Sequence, residues 1–239
     1  MSKPIVSVSS INNHAIATYY VDRGRNHGKA LKLLQDALQQ IIINISENPH
    51  NAPSANNVCH VPTIRYISIT KTTTDVEEER EYEATSSSHS PLAMYLRPLE
   101  MISSCDGGNN MEHQWETTCV IYNMALISHS KGFHCGNTRA LNKALNLYSM
   151  VLSLLRGDDT AMYPFDIKTL LVLAVWNNMG HIHSLLLNLE ETYQCFDRIR
   201  EILSFYKAGT LNKPDQGDTD IFHLNSIIAN LKFQNAPSA

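Results

Sequence analysis

The sequence lacks the short motifs that accompany several kinds of chemistry. It contains no Gly-x-Ser-x-Gly turn to present a nucleophilic serine and no Gly-x-x-x-x-Gly-Lys loop to bind phosphates. Its five cysteines are scattered and form no Cys-x-x-Cys pair, which favours reduced thiols in an intracellular compartment. We therefore predict no catalytic residue, no metal site and no cofactor, and we expect the chain not to be an enzyme.

Long apolar runs and an excess of basic residues are also missing. The N-terminus MSKPIVSVSSINNH has no apolar run that would serve as a signal peptide, and IIINI at 41–45 is too short to cross a membrane. The 19 Lys and Arg against 23 Asp and Glu leave a net charge of -4, which draws the chain neither to nucleic acid nor to anionic lipid. We expect a cytoplasmic protein without a nucleic-acid or membrane partner.

Several histidines near a cysteine raise the question of a metal or an enzyme site. His181 and His183 are two residues apart, so on a helix they point to different faces, and no tight spacing ties them to His129, His134 or Cys135. An enzyme with its site near His181 and His183 has no motif behind it and ranks last among our hypotheses.

The stretch from 176 to 199 has the pattern of two helices folded back on each other. One helical face carries Trp176, Met179, Gly180 and His183, a turn follows around 188–190, and the spacing resumes with Thr192, Phe196 and Ile199. Gly180 and Thr192 are small where two helix axes would come closest. The stretch therefore predicts a helical hairpin.

This hairpin resembles the tetratricopeptide repeat, whose signature places a Trp, a Leu-Gly pair, an Ala and a Phe at these offsets. His183 stands where that family usually has Tyr, Thr192 where it has Ala, and Ser204 where it has a closing Pro. The resemblance implies a mainly α fold of stacked antiparallel helical hairpins, an α-solenoid.

The spacing of the second helix of this hairpin recurs twice. Ala30-x-x-x-Leu34-x-x-Ala37 and Ala144-x-x-x-Tyr148-x-x-Val151 match Thr192-x-x-x-Phe196-x-x-Ile199. In the last hairpin, Gly180 precedes Phe196 by 16 residues, and counting back by the same interval from Leu34 aligns Ala17-Thr18 with Met179-Gly180. In the middle hairpin, the pair that corresponds to Met179-Gly180 is Met124-Ala125. The middle hairpin then needs about seven additional residues, which we assign to its turn, KGFHCGNTR.

These repeats define a single helical domain, 1–239. Its predicted parts are hairpins at 11–45, 111–156 and 164–206, an insert at 46–110, and a C-terminal capping helix at 217–234. Within the insert, the stretches 64–70 and 92–102 favour strands, so a small β-hairpin or flexible loop is expected there.

Asn123 and Asn178 each precede the hydrophobic-small pair of their hairpin. The Asn-Asn-Met-Gly run at 177–180 resembles kinesin-light-chain-type repeats, which implies that asparagines on the inner helices bind the backbone of an extended peptide. The resemblance thus implies a peptide-binding groove, which helical spacing lines with Tyr122, Asn123, Leu126, Ala174, Asn177, Asn178 and His181. Cys119 precedes Tyr122 in this groove, and Ile16 and Tyr19 of the first hairpin extend it. Alternatively, both asparagines bond only to carbonyls or helix caps between neighbouring helices.

The resulting hypothesis is a non-enzymatic protein–protein interaction module that holds a partner peptide or helix on its concave face. The alternative is a self-associating structural scaffold that uses the 46–110 insert and the outer helix faces, which would give a homo-oligomer.

Overall fold

The computed structural model describes residues 7–21, 26–47, 63–66, 91–102, 110–156, 165–207 and 216–234. In these ranges the chain is mainly α-helical, as predicted. The helices are α1 (Val8–Val21), α2 (His27–Glu47), α3 (Asn110–His134), α4 (Thr138–Arg156), α5 (Phe165–Leu185), α6 (Leu189–Lys207) and α7 (Gln216–Gln234), and the strands are β1 (Thr63–Tyr66) and β2 (Leu99–Ile102). Over the described ranges, no helix is long and apolar enough to cross a membrane.

The chain divides into two compact units. The first unit comprises Met1–Ile67 and Pro98–Lys168, and the second comprises Ser68–Arg97 and Thr169–Ala239. Residues 91–102 therefore contribute to both units, with the division between Arg97 and Pro98.

The first unit contains two helical hairpins in contact. Helix α1 packs on α2, α3 packs on α4, and α2 also packs on α3. The repeated pattern in the second helix of each hairpin forms the buried face, because residues at i, i+4 and i+7 share one side of a helix. Its members are fully buried, with 0% exposure for Ala30, Leu34, Ala37, Ala144, Tyr148 and Val151.

In the second unit, α5 and α6 approach closely at Gly180. A β-carbon on Gly180 would lie 2.7 Å from Cε2 of Phe196, so only glycine fits there without a shift of the ring. The matching face of α6 is buried, with 0% exposure for Thr192, Phe196 and Ile199. Helix α7 packs on α6.

The turns of the second and third hairpins have equal length, which corrects the prediction of a long turn at KGFHCGNTR. Only residues 135–137 separate α3 from α4, and only 186–188 separate α5 from α6. The seven additional residues lie within the helices instead. The interval from Ala125 to Gly136 is four residues longer than that from Gly180 to Leu187, and the interval from Gly136 to Tyr148 is three residues longer than that from Leu187 to Phe196. The small residue and the aromatic residue of the second hairpin therefore each lie about one helical turn further from the connecting turn than their counterparts in the third hairpin.

The predicted alignment of the first hairpin is wrong by three residues. Ala15 is fully buried, whereas Ala17 is exposed and Thr18 is partly exposed. Ala15 is thus the small residue of α1 that corresponds to Gly180, because both follow an asparagine by two positions. Equal spacing fails here because 19 residues separate Ala15 from Leu34, against 16 between Gly180 and Phe196.

The strands β1 and β2 pair in antiparallel fashion, with Ile64 opposite Met101 and Arg65 opposite Glu100. Strand β2 is shorter than the predicted 92–102, since residues 91–98 form no strand ladder. Residues 67–70 of the other predicted strand lie outside the described residues, as do most other residues of the 46–110 insert.

Helix α7 forms where a C-terminal helix is predicted at 217–234, and it buries Phe222, Asn225 and Ala229. The opposite side exposes apolar side chains beside Asp220, with Leu224 and Ile227 exposed by 55% and 58%. The outer face of this helix is therefore more apolar than the polar surface that a terminal cap usually presents to water.

Candidate functional site

Two clusters of asparagines hold the backbone of residues 91–102. A side-chain amide offers an acceptor oxygen and a donor NH₂ group side by side, which matches the N–H and C=O of a single residue in an extended chain. The second unit contains Asn177, Asn178 and Asn225, and the first unit contains Asn12, Asn13 and Asn123. We call these sets the second-unit and first-unit asparagine clusters.

In the second unit, Asn178 of α5 and Asn225 of α7 each hold one backbone residue by both its groups. Tyr95 N–H donates to Oδ1 of Asn178 at 2.7 Å, and Nδ2 of Asn178 donates to the Tyr95 carbonyl at 3.0 Å. Ala93 N–H donates to Oδ1 of Asn225 at 2.9 Å, and Nδ2 of Asn225 donates to the Ala93 carbonyl at 2.6 Å.

Asn177 connects the other two members of the second-unit cluster. Its Nδ2 donates to the Ala93 carbonyl at 3.1 Å and to Oδ1 of Asn178 at 3.4 Å. Its Oδ1 accepts from Nδ2 of Asn225 at 2.7 Å. Because a backbone N–H only donates and a carbonyl only accepts, this network fixes the orientation of all three amides.

The first-unit cluster repeats this arrangement. Leu99 N–H donates to Oδ1 of Asn123 at 3.0 Å, and Nδ2 of Asn123 donates to the Leu99 carbonyl at 2.9 Å. Met101 N–H donates to Oδ1 of Asn13 at 3.1 Å, and Nδ2 of Asn13 donates to the Met101 carbonyl at 2.8 Å.

Asn12 takes the part of Asn177 in the first unit. Its Nδ2 donates to the Leu99 carbonyl at 3.1 Å and to Oδ1 of Asn13 at 3.1 Å, while its Oδ1 accepts from Nδ2 of Asn123 at 3.0 Å. Each cluster therefore consists of an Asn-Asn pair on one helix and a single asparagine on another, with the same bonds between them.

The held residues are odd-numbered: Ala93 and Tyr95 in the second unit, Leu99 and Met101 in the first. Alternate residues of an extended chain direct their backbone N–H and C=O groups to the same edge of the chain, so each cluster bonds to one edge only. By the same alternation, the groups of Glu100 and Ile102 are directed to the other edge, where β1 pairs.

Side chains of the segment are buried at selected positions. Leu92 and Tyr95 are 5% and 3% exposed in the second unit, and Leu99 and Met101 are 0% and 2% exposed in the first. The Tyr95 ring packs on Phe222 of α7, with ring centroids 5.0 Å apart. The segment thus combines backbone bonds with apolar anchors.

All seven predicted groove residues are buried, and the three asparagines among them contact the segment 91–102. Asn123, Asn177 and Asn178 bond to it. The Tyr122 ring lies 6.2 Å from that of Tyr148, inside its own hairpin. The remaining three are each no more than 2% exposed: Leu126, Ala174 and His181.

His181 is an uncharged buried histidine. It is 2% exposed, and burial lowers its pKa from 6.5 to about 4, because an imidazolium ion loses its hydration there. Within the described part of the chain, no group of three His, Cys, Asp or Glu side chains is arranged to hold a metal ion.

Three members of the clusters were not predicted from the sequence as binding residues: Asn12, Asn13 and Asn225. A signal for the first two was present, because Asn-Asn-x-Ala at 12–15 has the pattern of Asn-Asn-x-Gly at 177–180. Asn225 carries a weaker signal, since the residue two positions later is Ile227 rather than a small residue.

No protein-family model, curated protein or solved structure matches the chain. The likeness to tetratricopeptide repeats thus rests on the residues quoted above.

Proposed function

We propose that the chain is a non-enzymatic protein–protein interaction module that binds an extended peptide of a partner protein through its asparagine clusters. The observation that carries the proposal is the repeated bonding of one asparagine amide to both backbone groups of one residue, as between Asn178 and Tyr95. The proposal includes no cofactor, metal or nucleic acid.

Backbone recognition of this type suits a binding module. The N–H and C=O of a peptide are the same whatever its side chains, so an amide that bonds both accepts many sequences. The bonds resemble those by which an added strand binds a sheet edge, where main-chain bonds supply affinity and pockets supply specificity. The chain's own residues 91–102 serve here as an example of such a ligand.

The proposed architecture is a tetratricopeptide-like α-solenoid of the kinesin-light-chain type. It is supported by the small residues Ala15, Ala125 and Gly180, each two positions after an asparagine that holds backbone. The first two have 0% exposure, and Gly180 lies against Phe196. Small residues at these sites allow the second helix of each hairpin to approach closely.

The proposal is tested on the full-length chain with residues 92–96 replaced by a Gly-Ser sequence, which we call the opened variant. A fluorescein-labelled peptide with the sequence of 91–102 serves as the probe, and fluorescence anisotropy measures binding. We expect saturable binding that is lost when Asn178→Ala and Asn225→Ala are added. Circular dichroism establishes that both proteins remain folded, and absence of binding to the folded opened variant contradicts the proposed function.

A second candidate function, self-association as a scaffold, is favoured by the apolar outer side of α7. Leu224 and Ile227 expose more than half of their surface there, and apolar patches of this kind often mark protein interfaces. Sedimentation velocity over a range of concentrations tests it, with Leu224→Lys and Ile227→Lys as the variant. A monomer at every concentration counts against self-association.

A further inference from the structure

We infer that the partner peptide of the second-unit cluster carries an apolar residue three positions before an aromatic residue, and that it binds in place of residues 92–96. This inference rests on the proposed function and names the class of peptide that the site selects.

The backbone contacts distinguish residues 92–96 from 99–102 as the exchangeable part. Residues 99–102 are held by asparagines on one edge and by β1 on the other. Among the described residues, strand pairing is confined to β1 and β2, so it does not include 92–96. A peptide that displaces 92–96 thus leaves the two-stranded sheet of the first unit intact.

Side-chain burial identifies which positions of the peptide are selected. Leu92 and Tyr95 are buried, whereas Ala93 is exposed and Met94 is partly exposed. Tyr95 also packs on Phe222 at a centroid distance of 5.0 Å. The backbone of Tyr95 is held by Asn178, so the aromatic anchor and the amide contact fall on the same residue. This position has the strongest effect on selectivity.

Displacement has to overcome the covalent attachment of the chain's own segment. A tethered ligand acts at an effective concentration on the order of millimolar, so a free peptide competes at a disadvantage. Any change that weakens the tethered segment therefore strengthens binding of the free peptide by the same factor, as long as the segment remains the main competitor. The same substitution therefore strengthens binding of the free peptide when it is placed in the chain and weakens that binding when it is placed in the peptide.

The experiment measures binding of the labelled 91–102 peptide to full-length wild-type chain and to the Tyr95→Ser chain. Loss of a buried aromatic side chain weakens binding on the order of 30-fold. We expect the Tyr95→Ser chain to bind the wild-type peptide about 30-fold more tightly than wild-type chain does, and to bind the Tyr95→Ser peptide about 30-fold more weakly than the wild-type peptide. The matched control is Met94→Gln, a change of similar size at the partly exposed neighbouring position, which is expected to change both affinities far less than Tyr95→Ser does.

The outcomes separate this inference from the proposed function. If the folded Tyr95→Ser chain binds wild-type and Tyr95→Ser peptides equally well, the selectivity is overturned while backbone binding by the clusters stands. If wild-type and Tyr95→Ser chains bind the peptide with equal affinity, displacement of the tethered segment is overturned. If neither the folded Tyr95→Ser chain nor the folded opened variant binds the peptide, the proposed function fails together with the inference.

Discussion

Asn123 holds both backbone groups of Leu99, and both residues are withdrawn from water, with 1% and 0% exposure. Truncation of this asparagine leaves a buried N–H without its acceptor, and water has little access to replace it. We expect Asn123→Ala to lower the free energy of unfolding of the first unit by about 2–4 kcal/mol, measured by urea denaturation.

Asn13 provides the matched control, because it makes the same pair of bonds to Met101 but is partly exposed. Water can take the place of its amide, so Asn13→Ala is expected to cost only about 1 kcal/mol. Equal costs for the two variants would show that burial does not determine the strength of these contacts.

Gly180 supplies a second prediction, since a β-carbon at this site would lie 2.7 Å from Cε2 of Phe196 and 3.2 Å from Cβ of Cys195. The Phe196 ring is fully buried and has little room to move. Overpacking by Gly180→Ala outweighs the better helix propensity of alanine, so we expect a loss of about 1–2 kcal/mol in thermal or urea denaturation.

Gly28 in α2 is the control for this substitution, because nothing lies within 4 Å of a β-carbon placed there. Gly28→Ala is expected to leave stability unchanged or to raise it by up to about 1 kcal/mol. A destabilisation by Gly28→Ala as large as that by Gly180→Ala would contradict the steric explanation.

Leu187 and Gly136 occupy the same position in two helix-ending turns, with φ angles of 60° and 58°. In each turn the following N–H bonds to a carbonyl five residues earlier, Asn188 to His183 and Asn137 to Gly132, both at 2.9 Å. A left-handed leucine costs about 1–2 kcal/mol, and glycine removes this strain at some cost in chain entropy.

We therefore expect Leu187→Gly to stabilise the second unit by about 0.5–1 kcal/mol, seen as a higher melting temperature. The side chain is 79% exposed, so little packing is lost. The reverse test is Gly136→Ala, which is expected to destabilise the first unit by about 1 kcal/mol. A lower melting temperature for Leu187→Gly would show that Leu187 contributes packing that outweighs its backbone strain.

The sequence predicted the helices and their buried faces well, because both follow from local spacing. The i, i+4, i+7 pattern of Ala144, Tyr148 and Val151 identifies a core face without knowledge of the rest of the fold. The first hairpin was misaligned because Ala17 and Thr18 were matched by interval rather than by the asparagine that precedes the small residue.

The bonding of residues 91–102 by the asparagine clusters could not be predicted from such spacing rules. The bond between Asn225 and Ala93 spans 132 residues, and no local pattern connects them. The asparagines at 123 and 178 were recognised as candidates for backbone binding, but the identity of the segment they hold depends on tertiary contacts. That these asparagines also bind a partner's peptide stays a prediction.

His181 makes the stability of the second unit depend on pH. Its pKa is lowered to about 4 in the folded chain, against 6.5 for an ordinary histidine, so the unfolded chain takes up a proton first as the pH falls. The contribution of His181 to stability is therefore most favourable above pH 6.5 and declines between 6.5 and about 4. From pH 7.5 to 5.0 this residue alone accounts for a loss of about 2 kcal/mol in the free energy of unfolding.

Urea denaturation of wild type and His181→Gln at both pH values measures this loss, because the other histidines contribute equally to both proteins. If wild type and variant lose the same stability over this interval, His181 is protonated in the folded chain as readily as in the unfolded one.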